Sequence, residues 1–267
     1  FGPELLPDYK GLRGDPSDNI IGIKGIGEKT GGTLINTFGT IEHMYEVLKG
    51  DSKCEVNGKK LLFDPFITAN ELAKHINIVD IETDYIFLSH AHEDHIADAE
   101  AIAKSTGAVI VSNYEIAMWY AAKGITSYHP MNTGGKWQFD FGTVKCVHAV
   151  HSSSFPDGSY GGNPMGFIIQ SDEKNFYYSG DTALTTDMQL VPTFADIHFA
   201  VLPIGDNFTM GPSDAAAAAK MVKTGTVIGI HYDTFGFIRI DQNKATDIFK
   251  TNNLTLLLPA IGETINV

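Results

Sequence analysis

The chain has 267 residues, a formal net charge of −13, 43% hydrophobic residues and 27 glycines. This length allows one large two-layered domain, or a medium domain with a small appendage, and the composition is typical of a globular protein. The acidic charge argues against a surface that wraps nucleic acid, because neutralising phosphates requires an excess of Lys and Arg. It still permits small anionic substrates, because bound metal ions would supply positive charge locally.

The cysteine content and the lengths of the apolar runs indicate in which cellular compartment to expect the protein. Cys54 and Cys146 are the only cysteines and lie far apart, so they suggest no disulfide framework. No apolar run approaches the roughly 20 residues of a membrane span, and the first residues lack the features of a secretory signal. We therefore expect a cytoplasmic protein in a reducing compartment, without membrane association.

The first 50 residues contain short helical patterns separated by glycine turns. The pattern predicts a helix through Leu34 and Ile35 and another over residues 41–48. The polar stretch 49–53 then breaks the helical pattern. We therefore predict an all-α fragment over residues 1–52 and a larger domain over residues 53–267.

Short apolar strands dominate the larger part, with helices inserted between them, which indicates an α/β domain. Helices are predicted over residues 96–105, 214–222 and 242–250. Strands are predicted over residues 61–63, 85–88, 109–111, 144–147, 167–170, 176–178, 199–202 and 227–230.

The run H-x-H-x-D-H at residues 90–95 follows one of these strands. Its three imidazoles and one carboxylate are ligands that borderline divalent metals prefer, and their spacing cannot serve one tetrahedral ion alone. On an extended loop, residues i and i+2 point to the same side, so we expect His90 and His92 to bind one ion. Asp94 and His95 would then turn towards a second ion. The alternative is a solvated polar loop, which we disfavour because further ligands are found downstream.

Three other residues of a type that can bind a metal each follow an apolar strand. His151 follows the strand at 144–147, Asp181 the strand at 176–178, and His231 the strand at 227–230. The loops after these strands can converge at one edge of a sandwich. Taken alone, Asp181 would be interpreted as a helix cap after a turn.

The larger part resembles the metallo-β-lactamase superfamily and, within it, bacterial metal-dependent hydrolases related to L-ascorbate-6-phosphate lactonase. The motifs run in family order from about residue 56 to the C-terminus. They are GKKLLFDPF from residue 58, HAHEDH from 90, PMNTGG from 130, HSSS from 151, GGNPMG from 161, SGDT from 179, PIG from 203, FTMGP from 208 and HYDTF from 231.

This resemblance implies an αββα sandwich and a complete set of metal ligands. The first metal would be held by His90, His92 and His151, and the second by Asp94, His95 and His231, with Asp181 bridging both. Asp64 would support a metal-bound histidine through a hydrogen bond, and the alternative for this residue is an Asp in a turn before Pro65. Zinc is favoured by the number of histidines, whereas manganese or iron also suits this set of nitrogen and oxygen ligands.

The chain departs from the family at the first strand. Family members normally begin with a strand that ends in a Gly-His-Ser type of segment, and this chain has residues 48–55 at that place. A sheet without an edge strand exposes unpaired backbone groups. We therefore expect the N-terminal fragment or a second subunit to cover the edge, and a homo-oligomer.

The N-terminal part carries a separate resemblance. The sequences GDPSDNI at 14–20 and GIKGIGEKT at 22–30 resemble the helix-three-turn-helix segment of bacterial 5′-nucleases, the exonuclease domains of family A DNA polymerases. The resemblance implies that its glycine hairpin contacts DNA phosphates and that Asp15 and Asp18 match aspartates that help to hold catalytic metals. Two carboxylates are too few for that chemistry, and residues 1–52 hold five Lys or Arg against eight Asp or Glu. We expect an appendage without its own catalysis and with weak DNA affinity at most.

These expectations describe a hydrolase in which two metals share a hydroxide and direct it at a carbonyl or phosphorus centre. Asp94 or a bound water would carry the proton, and Asp181 would bridge the ions. The substrate would be a small phosphorylated lactone, a phosphodiester or phosphotriester, or a carboxylic ester. The alternatives are a nuclease whose N-terminal fragment contacts DNA phosphates, and a non-catalytic binding protein. Polar residues on loops after strands are the candidate substrate contacts: Ser152, Ser153, Asn163, Asn207, Thr209 and Thr234.

Overall fold

The structure is a computed structural model that describes residues 2–15, 20–21, 26–38, 40 and 54–267. The chain divides into two compact units, Phe1–Asp51 and Ser52–Val267. The predicted helix at 41–48, the boundary stretch 49–53 and Asp18 lie outside the described residues. The predicted domain ranges therefore stay predictions.

The N-terminal unit contains two described α-helices. These are α1 (Leu6–Arg13) and α2 (Glu28–Phe38), and a 3₁₀ turn over Pro3–Leu5 precedes α1. The structure confirms the predicted helix through Leu34 and Ile35. α1 ends at Gly14, whose φ of 85° suits glycine and whose N–H donates to the Lys10 carbonyl. Leu12 and Ile35 are buried against each other.

The larger unit contains two β-sheets flanked by helices. Its described α-helices are α3 (Glu93–Ile96), α4 (Ala99–Thr106), α5 (Tyr114–Ala122), α6 (Pro212–Met221) and α7 (Gln242–Thr251). Its strands are β1 (Cys54–Val56), β2 (Lys59–Phe63), β3 (Tyr85–Phe87), β4 (Val109–Asn113), β5 (Tyr128–Met131), β6 (Lys136–Gln138), β7 (Thr143–His148), β8 (Met165–Gln170), β9 (Phe176–Tyr178), β10 (Phe199–Pro203), β11 (Thr226–Ile230) and β12 (Thr255–Leu257). Short 3₁₀ helices lie at Glu71–Ala73, Ile78–Asp80, Thr186–Thr193 and Gly236–Ile238.

The strand directions bring several strand ends to the same edge. The first sheet has the order β1-β2-β3-β4-β5, and its pairs from β2 to β5 are parallel. The second sheet has the order β12-β11-β10-β9-β8-β7-β6, and it is parallel from β12 to β9. β7 runs in the same direction as β9, because both are antiparallel to β8 between them.

The core has three layers of apolar contacts, as an αββα sandwich requires. Between the sheets, Phe87 and Val111 of the first sheet pack with Val144 and Phe167 of the second. Ile102 of α4 and Ile116 of α5 cover the outer face of the first sheet. The Ala-rich α6 and Phe249 of α7 cover the second sheet. The predicted α/β sandwich is therefore confirmed.

Some elements differ from the predictions. The helix predicted at 96–105 is split into α3 and α4. Asp98 lies at the break, where its carboxylate accepts hydrogen bonds from the Ile67 and Thr68 N–H groups. In the larger unit, β1, β5, β6, β12 and α5 were not predicted. β6 is only three residues long, so its alternation is too short to stand out, whereas α5 is apolar on most sides and begins at the Asn113 cap.

A three-residue strand precedes the turn at Asn57 and Gly58. β1 pairs with β2 in antiparallel register, and the two turn residues have φ values of 47° and 73°, as a tight hairpin turn requires. Among the described residues, β1 is an outer strand with β2 as its one neighbour. Among the described helices, none is long and apolar enough to cross a membrane.

Candidate metal centre

The sequence-predicted ligands follow strands whose ends meet at one edge of the sandwich. Asp64 follows β2, and the H-x-H-x-D-H run follows β3. Three more ligands come from the second sheet: His151 after β7, Asp181 after β9 and His231 after β11. Because these strands run in the same direction within each sheet, loops distant in sequence converge on one place.

The first group of ligands consists of His90, His92 and His151. One ring nitrogen from each lies within 4.8 Å of the others. His90 Nε2 is 3.0 Å from His92 Nδ1, and the His151 ring centroid is 5.0 Å from the centroid of each of the other two rings. The loop before α3 therefore brings His90 and His92 together, as the i and i+2 spacing predicts.

The second group consists of Asp94, His95 and His231, whose ligand atoms also lie within 4.8 Å of one another. Asp94 Oδ2 is 3.4 Å from His231 Nε2 and 3.7 Å from His95 Nε2. Asp94 and His95 are consecutive residues in the single turn of α3, so helix formation turns them away from His92.

Asp181 lies between the two groups. Its Oδ2 is 3.1 Å from His231 Nε2, 3.4 Å from His95 Nε2 and 3.6 Å from His151 Nε2. The residue is 2% exposed. One carboxylate thus approaches histidines of both groups, which is the position that a bridging ligand occupies.

The ligand atoms fit metal ions. Among the described residues, three buried polar side-chain atoms have no hydrogen-bond partner, and all three belong to this cluster: His95 Nε2, Asp181 Oδ1 and His231 Nδ1. A buried acceptor without a partner costs about 1 to 3 kcal/mol, and a metal ion bound here would satisfy His95 Nε2 and Asp181 Oδ1. Imidazole nitrogens and carboxylate oxygens are also the donors that zinc, manganese and iron accept.

Asp64 accepts four hydrogen bonds beside the ligands. Its Oδ1 accepts from the Ser89 N–H at 2.7 Å, and its Oδ2 accepts from Ser89 Oγ at 2.6 Å, His95 Nδ1 at 3.0 Å and the Tyr178 hydroxyl at 2.8 Å. Because His95 Nδ1–H donates to Asp64, the lone pair of His95 is on Nε2, the atom that approaches Asp181. Asp64 therefore has the predicted contact with a candidate ligand.

The same carboxylate acts on His90 through Ser89. Ser89 Oγ donates its proton to Asp64, so at 2.9 Å it accepts a hydrogen bond from His90 Nδ1. This leaves the lone pair of His90 on Nε2, which is the atom close to His92. Sequence reasoning missed Ser89 and Tyr178, although the position of Ser89 directly before His90 was an available signal.

Two of these residues have backbone conformations that are rare for side chains with a Cβ. Asp64 has φ of 41° and His231 has φ of 55°. Each residue directly follows a strand, so the chain turns sharply where it enters the site. Such conformations cost about 1 to 3 kcal/mol and cluster at functional sites.

The environment separates the pKa values of the histidines. Burial, together with the charges of His95 and His92, holds the pKa of His90 well below its ordinary value. Burial also lowers the pKa values of His92 and His151. For His95, burial acts in the same direction, but the Asp181 and Asp64 carboxylates outweigh it and hold the pKa well above its ordinary value.

Asp94 stays ionised in this environment. Burial raises the pKa of its carboxyl, but the hydrogen bond from His231 and the charges of His95 and His231 outweigh burial and bring the pKa to about 2. The carboxylate is therefore available as a ligand or a proton acceptor at neutral pH.

A cavity of about 670 Å³ opens above the ligands. Its walls comprise ligands of both groups and several residues that sequence reasoning missed: Phe66, Ala69, Glu93, Phe208 and Phe235. One predicted substrate contact, Ser152, lines the cavity, and its Oγ is 3.3 Å from His92 Nε2. Single apolar residues in loops carry no sequence signal that separates a cavity wall from a core.

The other five predicted substrate contacts are not among the lining residues. Ser153 Oγ accepts from the Ala91 N–H and donates to the Gly161 carbonyl, so it holds the loop of the first two histidines. Asn163 accepts a hydrogen bond from the Tyr160 hydroxyl. Asn207 and Thr209 lie in the turn after β10, and Thr234 lines a different cavity beyond His231. Their roles in substrate binding stay predictions.

The fold and this ligand set define the class of protein. A family profile described as a β-lactamase superfamily domain matches residues 59–232. The chain belongs to this superfamily and, within it, to the UPF0173 metal-dependent hydrolases. It is 57% identical over 208 residues to such a hydrolase from Christiangramia forsetii, with 78% of this chain and 92% of the relative covered. A relative from Flavobacterium johnsoniae is 53% identical over 213 residues, covering 80% of this chain and 94% of the relative.

Solved structures agree with this assignment. The chain is similar to Igni18, a metallo hydrolase from the archaeon Ignicoccus hospitalis, with a TM-score of 0.71 and 35% identity over 79% of this chain and 91% of that one. The chain is therefore a metal-dependent hydrolase. A second profile, described as 5′-3′ exonuclease, C-terminal SAM fold, matches residues 1–105. Residues 59–105 of that range also match the hydrolase profile, and they form β2, β3, α3 and most of α4 of the sandwich.

Proposed function

We propose that the chain is a binuclear hydrolase that cleaves an ester, phosphoester or lactone bond of a small molecule. The observation that carries this proposal is the position of Asp181 between two groups of ligands at the base of one cavity. His90, His92 and His151 would hold one divalent transition metal, and Asp94, His95 and His231 the other, with zinc favoured. When bound, such ions lower the pKa of water and stabilise negative charge on the substrate.

The residues of the chain would then orient the reaction. Asp64 fixes the tautomers of His95 and, through Ser89, of His90. Asp94 lines the cavity and is ionised at neutral pH, so we assign it the role of proton acceptor. Ser152 lines the cavity, and its hydroxyl lies next to His92 of the first ligand group.

The test is elemental analysis of protein prepared without chelator, followed by hydrolysis of p-nitrophenyl carboxylic esters, phosphodiesters, phosphotriesters and lactones. We expect two transition-metal ions per chain. One ion or none would contradict the binuclear proposal.

A histidine variant tests whether catalytic activity depends on metal binding at this site. His90→Ala should abolish activity and lower the metal content while leaving the far-ultraviolet circular dichroism unchanged, because the surrounding sandwich packs independently of this side chain. The matched control is His148→Ala, which removes a histidine that pairs with Asp187 at 3.1 Å and is about half exposed. Activity of His90→Ala near the wild-type rate would refute the assignment of the site.

A nuclease or DNA-associated phosphodiesterase is the second candidate, because the exonuclease profile matches the N-terminal part. The acidic balance of residues 1–52 argues against it.

A further inference from the structure

The cavity wall away from the ligands is aromatic. Phe66, Phe208 and Phe235 line it, and the rings of Phe66 and Phe235 lie 6.2 Å apart. Phe208 is 53% exposed even though it is a large apolar side chain. Apolar surface left open to water at the mouth of a cavity is typical of a site that a ligand covers.

Each of these aromatic residues stands on a loop with specific hydrogen bonds. The loop after Phe66 is held by Asp98, which accepts from the Ile67 N–H at 2.6 Å and the Thr68 N–H at 3.0 Å. Phe208 lies in a turn closed by the Asp206 N–H and the Met210 carbonyl at 3.1 Å. The loop carrying Phe235 is closed by the bond from the Asp233 N–H to the Ile238 carbonyl at 2.8 Å. The aromatic wall is therefore positioned by the fold.

The charges on the wall have one sign. The carboxylates lining the cavity belong to Glu93, Asp94 and Asp181. In the part of the chain that the structure describes, no Lys or Arg lines it. A phosphate or carboxylate that projects away from the metals would thus face Glu93 and phenyl rings. It would not meet the ammonium or guanidinium groups that bind such anions.

We propose that the site takes an uncharged ester, lactone or phosphotriester that carries an apolar or aromatic group, and that it rejects substrates with an additional anionic group. This inference rests on the proposed hydrolase function. The reacting carbonyl or phosphoryl group would face the ligand cluster, and the apolar group would cover Phe66, Phe208 and Phe235. The oxygen of one water bonds to the electrophilic centre, the ester C–O or P–O bond breaks, and the two protons of the water end on the acid and the leaving alcohol.

A matched pair of substrates tests whether the site rejects an additional anionic group. p-Nitrophenyl hexanoate and mono-p-nitrophenyl adipate share the reacting centre and the leaving group, and differ in ending in a methyl group or a carboxylate. We expect kcat/KM of the metal-loaded enzyme to be at least roughly tenfold lower for the adipate, since its carboxylate would lose water without gaining a partner. Equal or faster cleavage of the adipate would overturn the inference and leave the hydrolase function intact.

Variants test the aromatic wall. Phe208→Ala should lower kcat/KM for the hexanoate by roughly tenfold, because a phenyl group covered by the acyl chain contributes about that much. The loss for p-nitrophenyl acetate should be smaller, because its acyl chain is too short to cover the ring. Phe208→Lys should in addition raise the relative rate on the adipate. Phe194→Ala is the control, because Phe194 is 40% exposed and does not line the cavity. It should leave both esters unchanged.

A binding measurement separates this inference from the proposed function. Calorimetry with 4-phenylbutan-2-one, an uncharged ketone that cannot be hydrolysed, should show weaker binding in Phe208→Ala and Phe235→Ala than in the wild type and in Phe194→Ala. If the ketone binds in this way but the metal-loaded protein cleaves no ester, the hydrolase proposal fails and the apolar site stands. If esters are cleaved but neither phenylalanine affects binding or chain-length preference, the inference on substrate class is wrong.

Discussion

Asp64 connects two candidate metal ligands through hydrogen bonds of its own carboxylate. It accepts from His95 directly and from His90 through the Ser89 hydroxyl, so both rings are held in the tautomer with the lone pair on Nε2. The hydroxyl of the buried Tyr178 adds another donor. The carboxylate of one residue thus contacts one ligand of the second group directly and one of the first group through Ser89.

Replacing this carboxylate tests its role. In Asp64→Asn an amide N–H₂ replaces one acceptor oxygen, so at least one of the donors from Ser89, His95 and Tyr178 loses its partner. We expect metal affinity, measured by competition with a zinc-binding dye, to fall roughly 10- to 100-fold. Asp187→Asn, on the surface beside His148, should leave the affinity unchanged. Wild-type affinity in Asp64→Asn would show that the network does not orient the ligands.

At the scale of elements, the break between α3 and α4 places Asp98 where it can hydrogen-bond to the loop that carries Phe66. Asp98 lies between the two helices, is 2% exposed, and accepts hydrogen bonds from Ile67 and Thr68, including the Thr68 hydroxyl at 2.6 Å. Its own N–H donates to the Pro65 carbonyl at 3.3 Å. The local apolar pattern predicts one continuous helix over residues 96–105. It misses the break because the hydrogen-bond partners of Asp98 lie about 30 residues upstream, outside the local sequence.

Asp98→Ala should therefore destabilise the protein and loosen the cavity wall. It leaves two backbone donors and one hydroxyl without a buried partner, and we expect the free energy of unfolding to fall by about 2 to 4 kcal/mol in denaturant titration. KM for an apolar ester should rise as well. Glu100→Ala, in the first turn of α4 and in partly exposed ion pairs with Lys104 and Lys123, should change stability by no more than about 1 kcal/mol. Equal effects of the two substitutions would refute this account.

At the scale of the whole molecule, the larger unit holds every candidate ligand of the metal centre, and the N-terminal unit holds the exonuclease-like residues. In that unit Asp15 forms an ion pair with Lys10 at 2.9 Å, and Asp18 lies outside the described residues. Whether the N-terminal unit covers the sheet edge, and whether the chain forms homo-oligomers, stay predictions.

We expect the metal-loaded protein not to cleave flap or single-stranded DNA, because two aspartates are too few for a two-metal nuclease site. Gel assays with labelled DNA check this, with Asp15→Ala as the matched variant. The decisive comparison is the double variant Asp94→Ala, His95→Ala. DNA cleavage that persists in the double variant but disappears in Asp15→Ala would establish a nuclease in the N-terminal unit.

The sequence by itself was sufficient for the superfamily, the α/β sandwich and the set of candidate ligands. Ligand type and short spacing are local properties, so H-x-H-x-D-H could be recognised without coordinates, and the resemblance to the superfamily added His151, Asp181 and His231. The strands and most helices followed for the same reason, because hydrophobic periodicity is also local.

The tertiary structure alone decided what surrounds those ligands. The bonds of Ser89 and Tyr178 to Asp64 join three strand ends that are distant in sequence. The cavity wall combines Phe66, Phe208 and Phe235 from three separate loops, and a lone phenylalanine in a loop has the same sequence signal in a core as in a binding site. Which apolar side chains stay open to a ligand depends on how the loops pack against one another, and that is a property of long-range contacts.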